Sequence, residues 1–345
     1  MTVLILRASN ANEFELQNYA PLAKKFDISV ITSHHPLTPV STPSISLWSP
    51  TDLPAFPYRR QILNRLIGGE QWLLGLEALV NHYHDSNHGS VMLHTAETYT
   101  PYTHQAVQLR RQGRVSKLIC TCWETIPHAN EKFARLRQWK RDAYRYVDVF
   151  HTPTKRAKDA LVAEGVDPKK VVVIPYGVDL THFCPISNRK QRAIRRKPVV
   201  LTVARPVPEK GIDIVNALKK QMASVADFCL VSGVPYRDMP AVYQFADVFL
   251  LPSRTTPTWE EQYGMAIVEA MACGLPIVAT NTGAISEVVG NAGILVSPDH
   301  IPGMQSAIRA TLEDRVSLSR RALARARVLY DASKVAKKLA TLYTT

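Results

Sequence analysis

The chain has 345 residues, of which 46% are hydrophobic, and it carries a formal net charge of +13 at pH 7. This length favours two domains of about 150 residues each, and the hydrophobic fraction excludes a disordered or fibrous protein. The charge predicts an anionic partner, such as a nucleotide, a phospholipid headgroup or nucleic acid.

The first half of the chain alternates short apolar runs with helical stretches. The runs predict strands at Val3–Leu6, Ile28–Ile31, Val91–Leu93, Leu118–Cys122, Val147–His151 and Val171–Ile174. Near-continuous apolar strands that alternate with helices are typical of a parallel sheet covered on both faces. We therefore expect a doubly wound α/β domain over residues 1–180.

The second half repeats this pattern, with predicted strands at Val199–Val203, Phe228–Val231, Val248–Leu251, Pro276–Ala279 and Ile294–Val296. The segment Ser187–Lys197 between the halves is polar and rich in Arg and Lys, which is typical of a linker. We expect the second domain over residues 198–330. The predicted fold class is α/β, with two Rossmann-like doubly wound domains facing a central cleft.

Several motifs are absent from the sequence. The first glycine is Gly68, so the turn after the first strand lacks Gly-x-Gly-x-x-Gly, and no P-loop motif occurs, which excludes the usual dehydrogenases and ATPases. The N-terminal apolar run is too short for a secretory signal, and no run approaches about 18 apolar residues. The five cysteines form no Cys-x-x-Cys, which favours a reducing, cytoplasmic location and no structural zinc.

The segment after the strand Val248–Leu251 is the richest in polar chemistry. Glu261 precedes a tight turn at Gly264, and a short helix follows over Met265–Cys273 and contains Glu269. In an α/β sheet this loop lies at the carboxyl edge, where the first N–H groups of the helix, at Met265, Ala266 and Ile267, suit a diphosphate. Glu261 can then reach sugar hydroxyls and Glu269 a ribose diol, unless both are ordinary solvated glutamates.

Two cations follow the strand Val199–Val203. Arg205 comes directly after the strand and Lys210 just before the next helix, so both project from the same edge as the glutamate loop. Two fixed positive charges suit the two phosphates of a nucleoside diphosphate, Arg through its planar fork and Lys as a point charge. The alternative is that each is a solvated side chain at a strand end.

Together these motifs resemble family 4 of the retaining glycosyltransferases, which have the GT-B fold. The resemblance rests on Arg205-x-x-x-Glu-Lys210-Gly, on Ala-Asp-Val-Phe-Leu-Leu-Pro-Ser253 and on Glu261-x7-Glu269. It implies a nucleoside-diphosphate sugar as donor, a retained anomeric configuration and no metal. It assigns Arg205 and Lys210 to the diphosphate, Glu269 to the ribose and Glu261 to the donor sugar, and it implies that a terminal helix in residues 331–345 packs on the first domain.

The first domain departs from the family pattern. Where members carry a glycine pair, this chain has Asn10 and Asn12, which either replace backbone donors by side-chain amides or form an ordinary Asn-rich turn. Near the place of the family's donor-contacting histidine it offers Glu124 and, four residues on, His128, each a contact for the donor sugar or the acceptor hydroxyl or else a surface-loop residue. Two weaker acceptor-side residues follow the strand Val91–Leu93: Glu97 and Tyr99.

The stretch between Gly211 and Ala246 is shorter than in the family, with room for only one strand, Phe228–Val231. One strand–helix unit is therefore deleted, which predicts a five-stranded second sheet with the deletion at its periphery. The loop containing Gly233 and Val234 matches the family loop that approaches the nucleotide base. We expect its backbone to contact that base.

A basic stretch, Lys132–Tyr146, predicts an amphipathic helix. Its predicted core face is Phe133, Leu136, Ala143 and Val147, and its opposite face carries Trp139 with Arg135, Arg137, Lys140 and Arg141. That face suits an anionic membrane surface, or simply solvent. The segment Leu53–Val80 offers a second contact region through Arg59, Arg60, Arg65, Leu66, Ile67 and Trp72.

The sequence thus predicts a retaining, metal-independent glycosyltransferase that acts on a hydroxyl of a glycan, lipid-linked or small-molecule acceptor. Its expected location is cytoplasmic, with peripheral attachment to the inner membrane face left open. Two alternatives remain, a GT-B sugar-nucleotide epimerase or hydrolase and a basic nucleic-acid-binding protein. The second explains the charge but not the grouping of Arg205, Lys210, Glu261 and Glu269, so no nucleic-acid partner is expected.

Overall fold

A computed structural model describes residues 2–86, 90–186 and 197–344. The chain divides into two compact units: unit 1 comprises Met1–Ile174 and Ala336–Thr345, and unit 2 comprises Pro175–Val335. Residues 187–196 of the predicted linker lie outside the described residues. Within the described ranges, no helix is both long and apolar enough to cross a bilayer.

Unit 1 contains a seven-stranded sheet whose neighbouring strands are all parallel. The order β3-β2-β1-β4-β5-β6-β7 reverses between β1 and β4, which is where sheets of this kind bind ligands. Six strands match predicted ones. The sequence misses only β3, whose three residues include a single apolar side chain. The strands are β1 (Thr2–Ala8), β2 (Asp27–Thr32), β3 (Ser44–Ser46), β4 (Val91–Ala96), β5 (Lys117–Thr121), β6 (Val149–Thr152) and β7 (Val171–Val173).

Helices cover this sheet because its strands are apolar on both faces. Leu4, Leu93, Leu118 and Phe150, from four neighbouring strands, are fully buried, and each contributes about 1.5–3 kcal/mol of hydrophobic stabilisation. The helices of unit 1 before the linker are α1 (Glu13–Leu16), α2 (Arg59–Ile67), α3 (Leu76–Ser86), α4 (Pro101–Arg111), α5 (Ala134–Tyr146) and α6 (Lys155–Ala163).

The predicted faces of α5 are wrong at three positions. Phe133, expected in the core, is 44% exposed, whereas Trp139 is buried and stacks on the His104 ring at a centroid distance of 4.5 Å. Lys140, expected on the basic surface, is also buried, and its ammonium lies 2.7 Å from a carboxylate oxygen of Glu164. The α5 face predicted to meet a membrane therefore loses its tryptophan and one of its cations.

A buried polar chain crosses the sheet of unit 1. Tyr343 Oη lies 2.6 Å from His94 Nδ1, and the other ring nitrogen of His94, Nε2, lies 2.8 Å from Thr121 Oγ1. Thr121 Oγ1 lies 2.9 Å from His151 Nδ1, and His151 Nε2 lies 2.7 Å from the Ile174 carbonyl oxygen. Burial lowers the pKa of both imidazoles, so each carries one N–H. Because the Ile174 oxygen only accepts, every donor in the chain must point from Tyr343 towards Ile174.

Unit 2 contains a five-stranded parallel sheet. The five strands agree with the prediction, and β9, which lies in the shortened segment, is at the edge of the order β12-β11-β10-β8-β9. The order reverses between β8 and β10, so the loops after these two strands form the switch point of the sheet. The strands are β8 (Val199–Val203), β9 (Asp227–Val231), β10 (Val248–Leu251), β11 (Ile277–Thr280) and β12 (Gly293–Val296).

The helices of unit 2 pack on the second sheet around a core that includes Val200, Leu250, Val278 and Ile308. They are α7 (Ile212–Gln221), α8 (Met239–Phe245), α9 (Met265–Ala272), α10 (Ile285–Val289), α11 (Ile301–Glu313) and α12 (Arg315–Leu329). The predicted terminal helix forms as two, α13 (Ala332–Leu339) and α14 (Thr341–Thr344).

Candidate functional site

The loops after β8 and β10 touch at the switch point of unit 2. Gly211 has φ +66°, and a Cβ there would lie 2.1 Å from the carbonyl oxygen of Pro252, so only glycine permits this approach. The Arg254 N–H donates to the Glu209 carbonyl at 2.8 Å and joins the same two loops. This backbone contact places Lys210 against the loop that follows β10.

Lys210 and Glu261 meet directly at this edge. The Lys210 ammonium lies 2.6 Å from Glu261 Oε2, and the Ser253 hydroxyl donates to the same oxygen at 3.1 Å. The ammonium also lies 4.9 Å from the centre of the Trp259 ring. The side chains of the pair are only 13% and 9% exposed. The sequence predicts both residues at this edge, and the structure adds that each neutralises the other.

The backbone of Glu261 is held by the loop after β11. The Ala284 N–H donates to the Glu261 carbonyl at 2.8 Å, and a Cβ at Gly283 would lie 2.2 Å from that oxygen. Gly283, at φ +54°, therefore permits close packing of the two loops. Glu261 is therefore held at its backbone by the loop after β11 and at its carboxylate by Lys210 and Ser253.

Glu269 lies inside α9 and is buried. The Tyr243 hydroxyl donates to Glu269 Oε2 at 2.5 Å. Burial raises the pKa of Glu269 to about 7, while the hydrogen bond from Tyr243 acts in the opposite direction. Both protonation states are therefore populated near neutral pH. Sequence reasoning missed Tyr243, since no local pattern identifies a partner 26 positions away.

The N-terminus of α9 offers fewer donors than predicted. The helix starts after Gly264, whose φ is +83°, and the Ile267 N–H donates back to the Gly264 carbonyl at 2.8 Å. The N–H groups of Met265 and Ala266 precede the first hydrogen bond within the helix. Two of the three predicted backbone donors can therefore serve an anion, and Ile267 is already bonded.

Arg205 and the loop after β9 are more open. The Arg205 side chain is exposed, and within the described ranges it forms no hydrogen bond or ion pair. Gly233 has φ +73°, with no atom within 4 Å of its Cβ position, and Val234 is half-buried beside it. Contact of this loop with a nucleotide base stays a prediction.

In unit 1 three of the predicted side chains gather after β4 and β5. The Tyr99 hydroxyl donates to Glu124 Oε1 at 3.2 Å, and the Trp123 N–H donates to Glu97 Oε1 at 2.7 Å. Burial and the nearby Glu124 carboxylate hold the pKa of Glu97 well above its usual range. Glu97 also adopts φ +60°, uncommon outside glycine and typical of constrained functional loops. This pair of carboxyl groups can hold and release a proton.

The other predicted residues of unit 1 have local partners. Asn12 caps α1, accepting from the Glu15 N–H at 2.8 Å, and its amide donates to the Asn10 carbonyl at 2.8 Å. The Asn10 amide donates to Gln71 at 3.1 Å. Asn12 thus behaves as the turn residue of the alternative interpretation, while Asn10 is exposed.

His128 has two partners of its own, Glu131 and Glu164. The imidazole Nδ1 of His128 lies 2.7 Å from Glu131 Oε1, and the backbone N–H of His128 donates to Glu164 Oε1 at 2.7 Å. Ligand atoms of His128, Glu131 and Glu164 lie within 4.8 Å of one another, a spacing that a metal could use. However, the Lys140 ammonium lies 2.7 Å from Glu164 and 3.1 Å from Glu131, so a cation already neutralises this cluster.

Two family models match the chain in succession. Residues 16–177 match the model described as "Glycosyl transferase 4-like domain", and residues 189–314 match "Glycosyl transferases group 1". The chain is similar to the GDP-mannose-dependent alpha-(1-6)-phosphatidylinositol monomannoside mannosyltransferase of Mycolicibacterium smegmatis, at 30% identity over 41% of this chain and 47% of that protein. It is also similar to the D-inositol 3-phosphate glycosyltransferase of Paenarthrobacter aurescens, at 29% identity over 48% of each chain. The chain thus spans about half the length of these curated relatives.

Solved structures resemble the whole fold. Anabaena HepE in complex with UDP superposes with a TM-score of 0.74 over 100% of both chains, at 18% identity. Sucrose-phosphate synthase from Thermosynechococcus elongatus gives a TM-score of 0.73 over 99% of this chain and 98% of that one, also at 18% identity. At such identities the likeness establishes the fold alone.

Proposed function

Because this chain belongs to the family 4-type glycosyltransferases of the GT-B fold, we propose that it transfers a sugar from a nucleoside-diphosphate sugar to an acceptor hydroxyl. In this proposal the anomeric configuration is retained and no metal takes part. The protein works in the cytoplasm, and no nucleic acid is a partner. The observation that carries the proposal is the Lys210–Glu261 pair at the switch point of unit 2, together with Glu269 in the helix that follows.

Each of these side chains has a distinct task. The diphosphate binds Arg205, Lys210 and the first N–H groups of α9, and Lys210 shares its charge between the phosphate and Glu261. Glu261 accepts hydrogen bonds from hydroxyls of the transferred sugar. Glu269 accepts from the ribose diol with the carboxylate oxygen that Tyr243 leaves free.

The reaction breaks the bond between the anomeric carbon and the phosphate oxygen. The acceptor oxygen bonds to that carbon on the same face, and its proton passes to the departing diphosphate. Arg205 and Lys210 stabilise the charge that develops on the diphosphate, which is electrostatic preorganisation. Since these cations supply the positive charge, we expect the rate to be unchanged in EDTA. The Glu97 and Glu124 carboxyl groups, with Tyr99, are proposed to orient the acceptor.

The donor base is the least constrained part of the proposal. One relative is named for GDP-mannose and one fold neighbour binds UDP, so both nucleotides belong in the screen, with ADP as a third. The acceptors in the relatives' names, phosphatidylinositol monomannoside and inositol 3-phosphate, are polyols that carry phosphate. We propose a phosphate-bearing polyol or glycan acceptor as the first class to test.

Isothermal titration calorimetry with UDP, GDP and ADP tests the site. Glu269→Gln should weaken binding of the preferred nucleotide, because its amide cannot replace both charged acceptor oxygens. Glu261→Gln should leave that affinity nearly intact yet lower the transfer rate, since Glu261 contacts the part that leaves. Glu313→Gln, in an exposed position of α11, is the matched control. Equal nucleotide affinity in wild type and Glu269→Gln would contradict the assignment.

Product analysis distinguishes transfer from the alternatives. A transferase forms a new glycoside only when acceptor is present, and its anomeric proton shows the configuration of the donor. An epimerase or hydrolase would consume the sugar nucleotide at the same rate without acceptor. An inverted product would reject the retaining mechanism while leaving the donor site intact.

A further inference from the structure

Exposed apolar side chains concentrate in one part of unit 1. Among the described residues sixteen large hydrophobic side chains are exposed, and eight of them lie within residues 48–74. The most exposed of these eight are Tyr58 at 74% and Leu66 at 64%. Helix α2, inside this stretch, has no buried residue at all. A surface helix normally buries one apolar stripe against the rest of the protein. Helix α2 buries none, so the other described residues leave its apolar side chains uncovered.

The segment is nevertheless fixed at both ends. Before it, Ser49 and Asp52 form a reciprocal capping box. After it, Gly68 lies on the Trp139 ring, where a Cβ would be 2.4 Å from the ring edge. The buried Trp139 therefore serves as the anchor of the segment. These two contacts fix the backbone on either side of the exposed apolar side chains.

The charges of the segment have one sign. Residues 53–69 contain Arg59, Arg60 and Arg65 and no acid. Arg59 lies 3.3 Å from Glu70, whereas Arg60 and Arg65 are exposed and form no ion pair within the described ranges. Arg135 of α5 donates to the Leu66 carbonyl at 2.9 Å and adds a cation at the same surface. Exposed apolar groups are thus interleaved with uncompensated positive charge.

We propose that residues 53–67, together with Arg135, dock this protein on an anionic lipid bilayer. Tyr58, Ile62 and Leu66 enter the boundary between headgroups and acyl chains, while Arg60 and Arg65 contact anionic headgroups. Ile62 and Leu66 lie one helical turn apart and share a face of α2. The charge selects this occupant, because a basic surface attracts anionic lipid and repels a second copy of a chain of net charge +13. The proposal is independent of the transferase activity.

Vesicle co-sedimentation tests this surface. We expect the full-length protein to bind vesicles of equal parts phosphatidylglycerol and phosphatidylcholine, to bind phosphatidylcholine alone far less, and to be released by high salt. At about fivefold per arginine, Arg60→Ala/Arg65→Ala should weaken binding roughly 25-fold. Leu66→Asn should also weaken it. Both should leave nucleotide binding unchanged, which shows that the variants are folded.

Matched controls lie on α12 of unit 2. Arg320→Ala/Arg327→Ala removes the same charge from exposed positions, and Val328→Asn replaces a side chain that is 64% exposed. These variants should bind anionic vesicles as well as wild type. If the double arginine variants of α2 and α12 lost equal vesicle affinity, the net charge of the protein would explain the binding and the proposal would be overturned. A dimer in light scattering that Leu66→Asn converts to monomer would instead assign the surface to a second copy.

Discussion

The protonation of Glu269 should make nucleotide affinity depend on pH. Its pKa is about 7 because burial disfavours the carboxylate, and only the carboxylate can accept from Tyr243 with one oxygen and from the ribose diol with the other. About nine-tenths of the molecules are ionised at pH 8 and about one-tenth at pH 6. Affinity for the preferred nucleoside diphosphate should therefore fall about tenfold between pH 8 and pH 6, or about 1.4 kcal/mol.

Calorimetry at the two pH values gives this ratio, and Glu269→Gln separates it from the titration of the nucleotide's own phosphate. The variant cannot ionise at position 269, so it should keep only the pH dependence of the phosphate. The same tenfold change in wild type and variant would refute the argument. So would a Glu269 carboxyl resonance that titrates near pH 4.5 in a carbon NMR experiment.

The same pKa has a consequence for stability. A carboxyl whose folded pKa is raised stabilises the protein fully only below its unfolded pKa, near 4.5, and this stabilisation is lost as the pH rises through about 7. At pH 8 the buried carboxylate of Glu269 thus destabilises unit 2 by roughly 3 kcal/mol. Glu269→Gln should unfold at a higher temperature than wild type at pH 8 and lose this advantage at pH 5. A lower melting temperature for the variant at pH 8 would contradict this.

Three further changes follow from named contacts. Tyr243→Phe removes the hydrogen bond that opposes the pKa shift of Glu269, so the midpoint of the pH-dependent nucleotide affinity should move to higher pH in calorimetry; an unchanged midpoint would argue against this contact. Burial lowers the pKa of His151 to about 4, so its stabilisation is complete above about pH 6.5 and is lost as the pH falls towards 4. Between pH 7 and pH 5 wild type should therefore lose about 2 kcal/mol more than His151→Gln in urea unfolding followed by tryptophan fluorescence, and equal losses would contradict a neutral, buried ring. Gly211→Ala should destabilise unit 2 by more than about 2 kcal/mol and abolish the thermal shift with nucleotide, because its Cβ meets Pro252. Gly113→Ala, also at positive φ but with open space around its Cβ position, is the control and should be mild; similar effects in both variants would leave backbone conformation alone as the cause.

The architecture and the residues of the proposed donor site could be predicted from the sequence. Strands such as Val248–Leu251 are apolar on both faces, and this one ends at Pro252, so the pattern is a local signal. Glu261 and Glu269 stand beside Gly264 within one loop–helix segment, and parallel strands bring the loop of Lys210 to the same edge. For this reason the five-stranded second sheet and the edge that carries these side chains could be predicted without coordinates.

Only the tertiary structure decided which side chains meet. Lys210 and Glu261 are 51 positions apart in the sequence, and Tyr243 and Glu269 are 26 positions apart. Contacts at such separations depend on strand order and loop packing, which a short stretch of sequence does not contain. The same reason reversed the prediction for α5. Its helical period places Trp139 and Lys140 on one side, but burial of that side depends on what covers it. His104 and Glu164, from other helical segments, turned the predicted membrane face into an anchor for the apolar segment beside it.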